Sequence, residues 1–120
     1  MVIKTKSVYG IKSKDDGLRV LVTRYWPRGV KKQAVSVWLR GLGPKPELIK
    51  LWKDEKIKWV EFKKRYLAEF VGDEKKMFFS ELESIVQVEG GQVTLLCACK
   101  EDVNCHRSLL KEMLEKKKYQ

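Results

Sequence analysis

Cys105, His106 and Arg107 are three consecutive residues whose side chains can all do chemistry. A thiol can serve as a nucleophile or redox group, and an imidazole as an acid or base. A guanidinium offers a planar fork that grips phosphate, sulfate or carboxylate at two points. The triplet follows the apolar run Val93-Thr94-Leu95-Leu96-Cys97 after seven residues, and Leu109, Leu110, Met113 and Leu114 come next at helical spacing. The run predicts a buried strand over 92–97, and the spacing predicts a final helix. The triplet therefore falls at a strand–loop–helix junction, in the first turn of that helix. Ligands of open α/β sheets bind beyond the carboxyl ends of the strands. A helix N-terminus in that place offers unpaired N–H groups and a positive dipole end, which favour an anion.

Twenty lysines outnumber six arginines, yet Arg19, Arg24, Arg28 and Arg107 fall in the two segments that flank strands. Arg24 and Arg28 sit at and just beyond the carboxyl end of one strand, and Arg107 beyond that of another. If those strands are parallel neighbours, Arg24, Arg28 and Arg107 can converge on one anion; the alternative is exposed salt bridging. Cys105, near the helix N-terminus with Asn104 as its cap, should ionise more easily than an isolated cysteine. It reads either as a nucleophile or as a small thiol packed under the helix. His106 is the single histidine and shares a helical face with Leu110 and Met113. That placement fits a structural hydrogen bond, or a neutral imidazole acting as acid or base. Cys97, at the strand end, reads as a packed residue.

Cys97, Cys99, Cys105 and His106 are four potential zinc ligands. Their spacing is unlike paired knuckles, and adjacent Cys105 and His106 cannot easily both reach one tetrahedral ion, so no metal is expected. A cysteine-phosphatase loop, with five residues between cysteine and arginine, is absent. Gly41-Leu42-Gly43-Pro44 lacks the Lys-Ser/Thr ending of a nucleotide loop. Asp15-Asp16 could pair as carboxylates, but Gly17 beside them makes a turn the better explanation. No motif implies a cofactor.

Composition bounds the class. The chain has 120 residues, 43% of them hydrophobic and 12 aromatic, which suits one globular domain with a single modest core. No apolar stretch approaches the roughly 18 residues of a membrane span, and the first residues lack the apolar core of a signal peptide. An odd, clustered set of three cysteines is a poor disulfide framework. A cytoplasmic protein is expected. The net charge of +10 would draw it toward phosphate-bearing partners, nucleic acid included. Lysine and glutamate interleave along the chain, however, a pattern also typical of heat-adapted proteins.

The elements that must position these residues can be read in order. Met1 to Tyr9 alternates as a first strand, and Lys14-Asp15-Asp16-Gly17 makes a turn. Leu18 to Tyr25 forms a second strand with Leu18, Val20, Val22 and Arg24 on one side. Trp26-Pro27-Arg28-Gly29 breaks it. Val35 to Leu39 is a short extended segment. Pro46 opens a helix through Lys53. Residues 56–71 form the clearest helix, with Trp59, Phe62, Tyr66 and Phe70 as one stripe. Asp73 caps a third helix carrying Phe78, Leu82 and Ile85, and Gly90-Gly91 ends it. Strands at both ends with helices between them predict a small layered α/β domain over residues 1–120, its short sheet mostly parallel and flanked by helices.

The chain resembles the domain-of-unknown-function family 488. The residues that carry the likeness are Asp15-Asp16-Gly17 with Arg19-Val20-Leu21-Val22, then Arg24 and Trp26-Pro27-Arg28-Gly29. Trp38-Leu39, Trp59 with Phe62, Tyr66, Thr94 to Cys97 and Cys105-His106-Arg107 follow in the expected order. The resemblance implies a compact α/β domain and no particular reaction. Many members of that family carry an acidic residue where this chain has Cys99. The residues themselves point to an enzyme or binding domain for an anionic small molecule, with Arg24, Arg28 and Arg107 as anion ligands and Cys105 and His106 as chemical groups. The alternatives are a nucleic-acid-binding accessory protein and a structural metal site at the cysteine cluster.

Overall fold

A computed structural model describes residues 2–88, 90, 92–98 and 105–117. Four strands form one sheet: β1 (Val2–Ser7), β2 (Leu18–Leu21), β3 (Val37–Trp38) and β4 (Gln92–Cys97). Their order is β1-β4-β2-β3, and every pair is parallel. The apolar run 93–97 becomes central β4, buried along its length, as a strand covered on both faces must be. The second strand stops well before Tyr25. Val22 still donates to the Leu96 carbonyl at 3.0 Å, but β4 ends at Cys97 and β3 is two residues long. Beyond Val22 the ladder has no partner to offer, and the chain turns away.

Four helices connect or follow the strands: α1 (Pro46–Lys53), α2 (Trp59–Ala68), α3 (Asp73–Val88) and α4 (His106–Lys117). The helix expected from residue 56 starts three residues later, because α1 consumes the intervening chain for its own termination. Glu55 takes a left-handed φ of 55°; its N–H reaches the Trp52 carbonyl and that of Lys56 the Leu51 carbonyl. Those paired bonds satisfy the last carbonyls of α1 in a Schellman arrangement. The predicted aromatic stripe holds, with Trp59, Phe62, Tyr66 and Phe70 in ring contact along its length. In α3 the fully buried row is Lys75, Phe79, Leu82 and Val86, one position on from the expected Phe78 and Ile85. Those two pack at the edge of the core.

All four helices cover one face of the sheet. Ile3, Val20, Val93 and Leu95 project into a core shared with Leu48, Phe62, Leu82 and Leu110. The opposite face carries Leu21 and Leu96 beneath Val8, Val30, Val35 and Trp38, so it is closed by irregular chain rather than by helices. Beside that smaller core lies a polar cluster that the turn reading missed. Asp15 and Asp16 do form a tight turn, a short 3-10 segment ended by Gly17 at φ 63°. The Asp16 side chain is nevertheless buried. Its carboxylate accepts from Lys4 at 3.0 Å, from Ser13 Oγ at 2.8 Å, and from Arg19. Lys6 lies 2.6 Å away. Burial alone would raise its pKa. The bonds from Lys6, the Ser13 backbone and Lys4 overcome that and hold the carboxyl well below the usual carboxylate range.

Candidate active site at the carboxyl edge of the sheet

The parallel pairing of β2 with β4 brings residues 22–28 and 105–107 to the same edge of the sheet. α4 begins at His106, which puts Cys105 in the capping position before the first helical turn. The Ser108 N–H and hydroxyl both bond back to the Cys105 carbonyl, at 3.2 and 2.7 Å. Asn104, expected as the cap, and Cys99 lie outside the described residues.

His106 is buried, and its Nε2 stands 2.7 Å from the Val22 carbonyl oxygen. A carbonyl can only accept, so Nε2 carries the proton and donates. In the neutral ring Nδ1 is then the acceptor, and it faces Cys105 Sγ at 3.9 Å. The imidazole is therefore held in the tautomer that can take a proton from the thiol. The Tyr66 ring packs edge-on against it at 5.6 Å, and the Tyr66 hydroxyl donates to the Leu42 carbonyl at 2.6 Å. The structural hydrogen bond expected of His106 is present, to the Val22 carbonyl. The bond to Val22 is what sets the orientation.

Cys105 and His106 line a cavity of about 250 Å³. Trp26, Pro27, Trp52 and Phe62 contribute apolar wall, and Arg24 and Lys53 are its lining cations. Among the described lining residues there is no carboxylate. Trp26 is held in place by its Nε1 bond to the Val30 carbonyl at 2.9 Å and by edge contact with Trp38 at 5.4 Å. Trp52, from α1, packs against Phe62 and Trp59. The aromatic stripe serves both the core and the cavity wall. Phe62 does both, since one helix face can fill the interior and wall a cleft where the sheet ends.

The three arginines part company here. Arg24 lines the cavity, and its Nε and Nη2 donate to the carbonyls of Pro44 and Gly43 at 2.9 and 3.1 Å. Nη2 also meets Glu74 at 3.0 Å. Nη1 makes no hydrogen bond among the described residues and remains available. Arg28 is exposed and does not line the cavity; its carbonyl accepts from Tyr9 at 2.9 Å. Arg107 is fully buried, with Nη1 donating to Cys97 Sγ at 3.1 Å. It ties α4 to the end of β4. The parallel pairing was met, but a shared edge did not bring the guanidinium groups to one point, because α4 turns Arg107 inward.

The Gly41–Pro44 segment is a structural clamp beside the cavity. The Gly43 carbonyl accepts from both Arg24 and the buried Lys75, the latter at 2.8 Å. Desolvation lowers the pKa of Lys75, against the opposing pull of Glu69 at 2.9 Å. A Cβ on Gly43 would stand 2.2 Å from the Arg24 nitrogen, a backbone atom that cannot swing aside. Gly43→Ala is expected to destabilise the fold by about 1–3 kcal/mol through overpacking, read as a lower denaturation midpoint in urea.

This arrangement can be set beside known proteins. A family model described as "Active DUF488-N3 subclade" matches residues 3–118. The chain belongs to the DUF488 family. The uncharacterised protein YeaO of Escherichia coli K12 is 34% identical to this DUF488 domain over 116 residues, covering 95% of the chain and 97% of YeaO. The uncharacterised protein Rv3073c of Mycobacterium tuberculosis H37Rv is 36% identical over 69 residues, 56% of this chain and 58% of its own length. No solved structure matches. No helix among the described residues is long and apolar enough to cross a membrane.

Proposed function

We propose that this DUF488 domain is a small-molecule enzyme using Cys105 as nucleophile and His106 as its base, on a substrate bearing an anionic group. The observation that carries the reading is the orientation of His106. Its Nε2–H bond to Val22 leaves Nδ1 toward Cys105 Sγ, at the wall of a cavity that also presents Arg24. A Cys–base pair oriented by a third group is the general pattern of an activated nucleophile.

The steps follow from the residues present. The Cys105 thiol proton passes to Nδ1, and sulfur attacks an electrophilic carbon of the bound substrate. A sulfur–carbon bond forms, the bond to the leaving group breaks, and the leaving group departs with the electron pair and the proton from Nδ1. Water then attacks the carbon, giving its proton to Nδ1, and the sulfur leaves with the pair and is reprotonated. The Val22 carbonyl accepts from the imidazolium throughout, offsetting the unfavourable positive end of the α4 dipole. Arg24 Nη1 is the anion ligand, with Arg28 and Arg107 outside the described cavity lining. The chemistry needs a reduced thiol, which the cytoplasm maintains.

A cavity of about 250 Å³ with a largely apolar lining favours a small molecule over nucleic acid. The test is the alkylation rate of Cys105 by iodoacetamide against pH, followed by mass spectrometry with and without sulfate. Fast alkylation at neutral pH, slowed by sulfate, supports the reading. A slow Cys105 that ignores sulfate makes it a packing residue and ends it.

A further inference from the structure

The cavity walls say more about the ligand than its charge. Trp26 and Pro27 come from the segment after β2, Trp52 from α1 and Phe62 from α2. Three separate parts of the chain thus present apolar and aromatic surface to one space. The cations at its lining are Arg24 and Lys53, and Arg24 offers Nη1 alone because its other nitrogens hold the clamp. A bare oxyanion would leave most of this wall wet. A cation would meet no carboxylate among the described lining residues. A polyanion would have to desolvate several charges against aromatic rings with few donors to receive them.

From this juxtaposition we infer that the natural ligand is a monoanion with a ring-sized apolar body: the body lies between Trp26 and the Trp52–Phe62 wall, and the anionic end meets Arg24. The inference rests on the cavity assigned above and names its substrate class. A cavity of about 250 Å³ accommodates one ring with a short substituent, at the small end of ligand sites. Trp26 is the residue that selects the ring. It is a third exposed, is fixed by the Val30 bond, and lies outside both buried core clusters.

The probes are benzoate, acetate and benzyl alcohol, which separate ring from charge, with sulfate as the bare anion. Binding to the full chain is read by tryptophan fluorescence and, independently, by protection of Cys105 from iodoacetamide. Benzoate should act at a roughly tenfold or more lower concentration than acetate, sulfate or benzyl alcohol, because it alone uses both walls and the cation. Trp26→Ala should remove most of that advantage, read by protection of Cys105. Trp26→Phe should keep it, and far-UV circular dichroism should be the same for all three proteins. Equal potency of benzoate, acetate and sulfate overturns the inference while the anion site stands. Benzyl alcohol matching benzoate also overturns it. Binding of benzoate that depends on Trp26, with Cys105 slow to alkylate, supports the ligand class and removes only the nucleophile. No response to benzoate by either readout overturns it outright.

Discussion

Asp16→Ala is expected to lose about 3–5 kcal/mol of stability, the cost of leaving buried cations without their counter-charge. For a chain of this size that lowers the melting temperature by roughly 10–20 °C, measurable by calorimetry. The reason lies in which partners can escape. Lys4 and Lys6 are partly exposed and can swing toward water. Arg19 is 3% exposed, and its Nε is held by the Ala34 carbonyl at 2.7 Å. Its guanidinium would stay in place with the charge unmatched. Asp16→Asn keeps the shape and the bonds to Ser13 but removes the charge, so it should fall between wild type and alanine.

The same carboxylate makes stability depend on acid. Its folded pKa lies below the ordinary value of 3.8, so the folded state holds fewer protons there than the unfolded chain. The stabilisation is therefore complete above about pH 4 and is lost as pH falls further, toward the depressed folded value. Melting temperatures of wild type and Asp16→Asn should differ by a constant amount from pH 5 to 7. The gap should narrow below pH 4. A gap that stays constant into acid would mean that the charge of Asp16 contributes nothing.

His106→Gln should slow alkylation of Cys105 about 100-fold at pH 7, the lower end of what a positioned base contributes. Glutamine keeps an N–H that can reach the Val22 carbonyl, so the start of α4 should hold and circular dichroism should be unchanged. The deficit should shrink as pH rises through the ordinary thiol range of about 8–9, where hydroxide replaces imidazole as the base. A rate that follows wild type at every pH would show that His106 does no more than anchor the helix. Cys97 is an internal control: both thiols are buried, but only Cys105 lines the described cavity.

Much of this was written in the local sequence. Pro46 to Lys53 and the strand over 92–97 form where their residues predict, because a fixed proline φ and a continuous apolar run are nearest-neighbour properties. The turn at Asp15-Asp16-Gly17, the aromatic stripe of α2 and the place of Cys105 at the head of α4 are of the same kind. The early end of β2 is not. Nothing in Leu18 to Tyr25 says that the neighbouring strand stops at Cys97, and a strand continues only as far as its partner does. The late start of α2 was hidden for a related reason: Glu55 in a left-handed conformation has no signature in its residue type.

Residue types and periodicity act over a few neighbours, and they suffice to specify the fold class, the Cys105-His106-Arg107 triplet and its position beyond a strand end. Which of those groups stand together is fixed only by the tertiary structure. It took Arg107 into the interior, left Arg28 outside, and gave His106 a tautomer through a carbonyl 84 residues away. It also turned Asp16 from a turn residue into the centre of a buried charge cluster. Those outcomes depend on distances between side chains remote in sequence, which are fixed only when the sheet pairs and α4 docks against it.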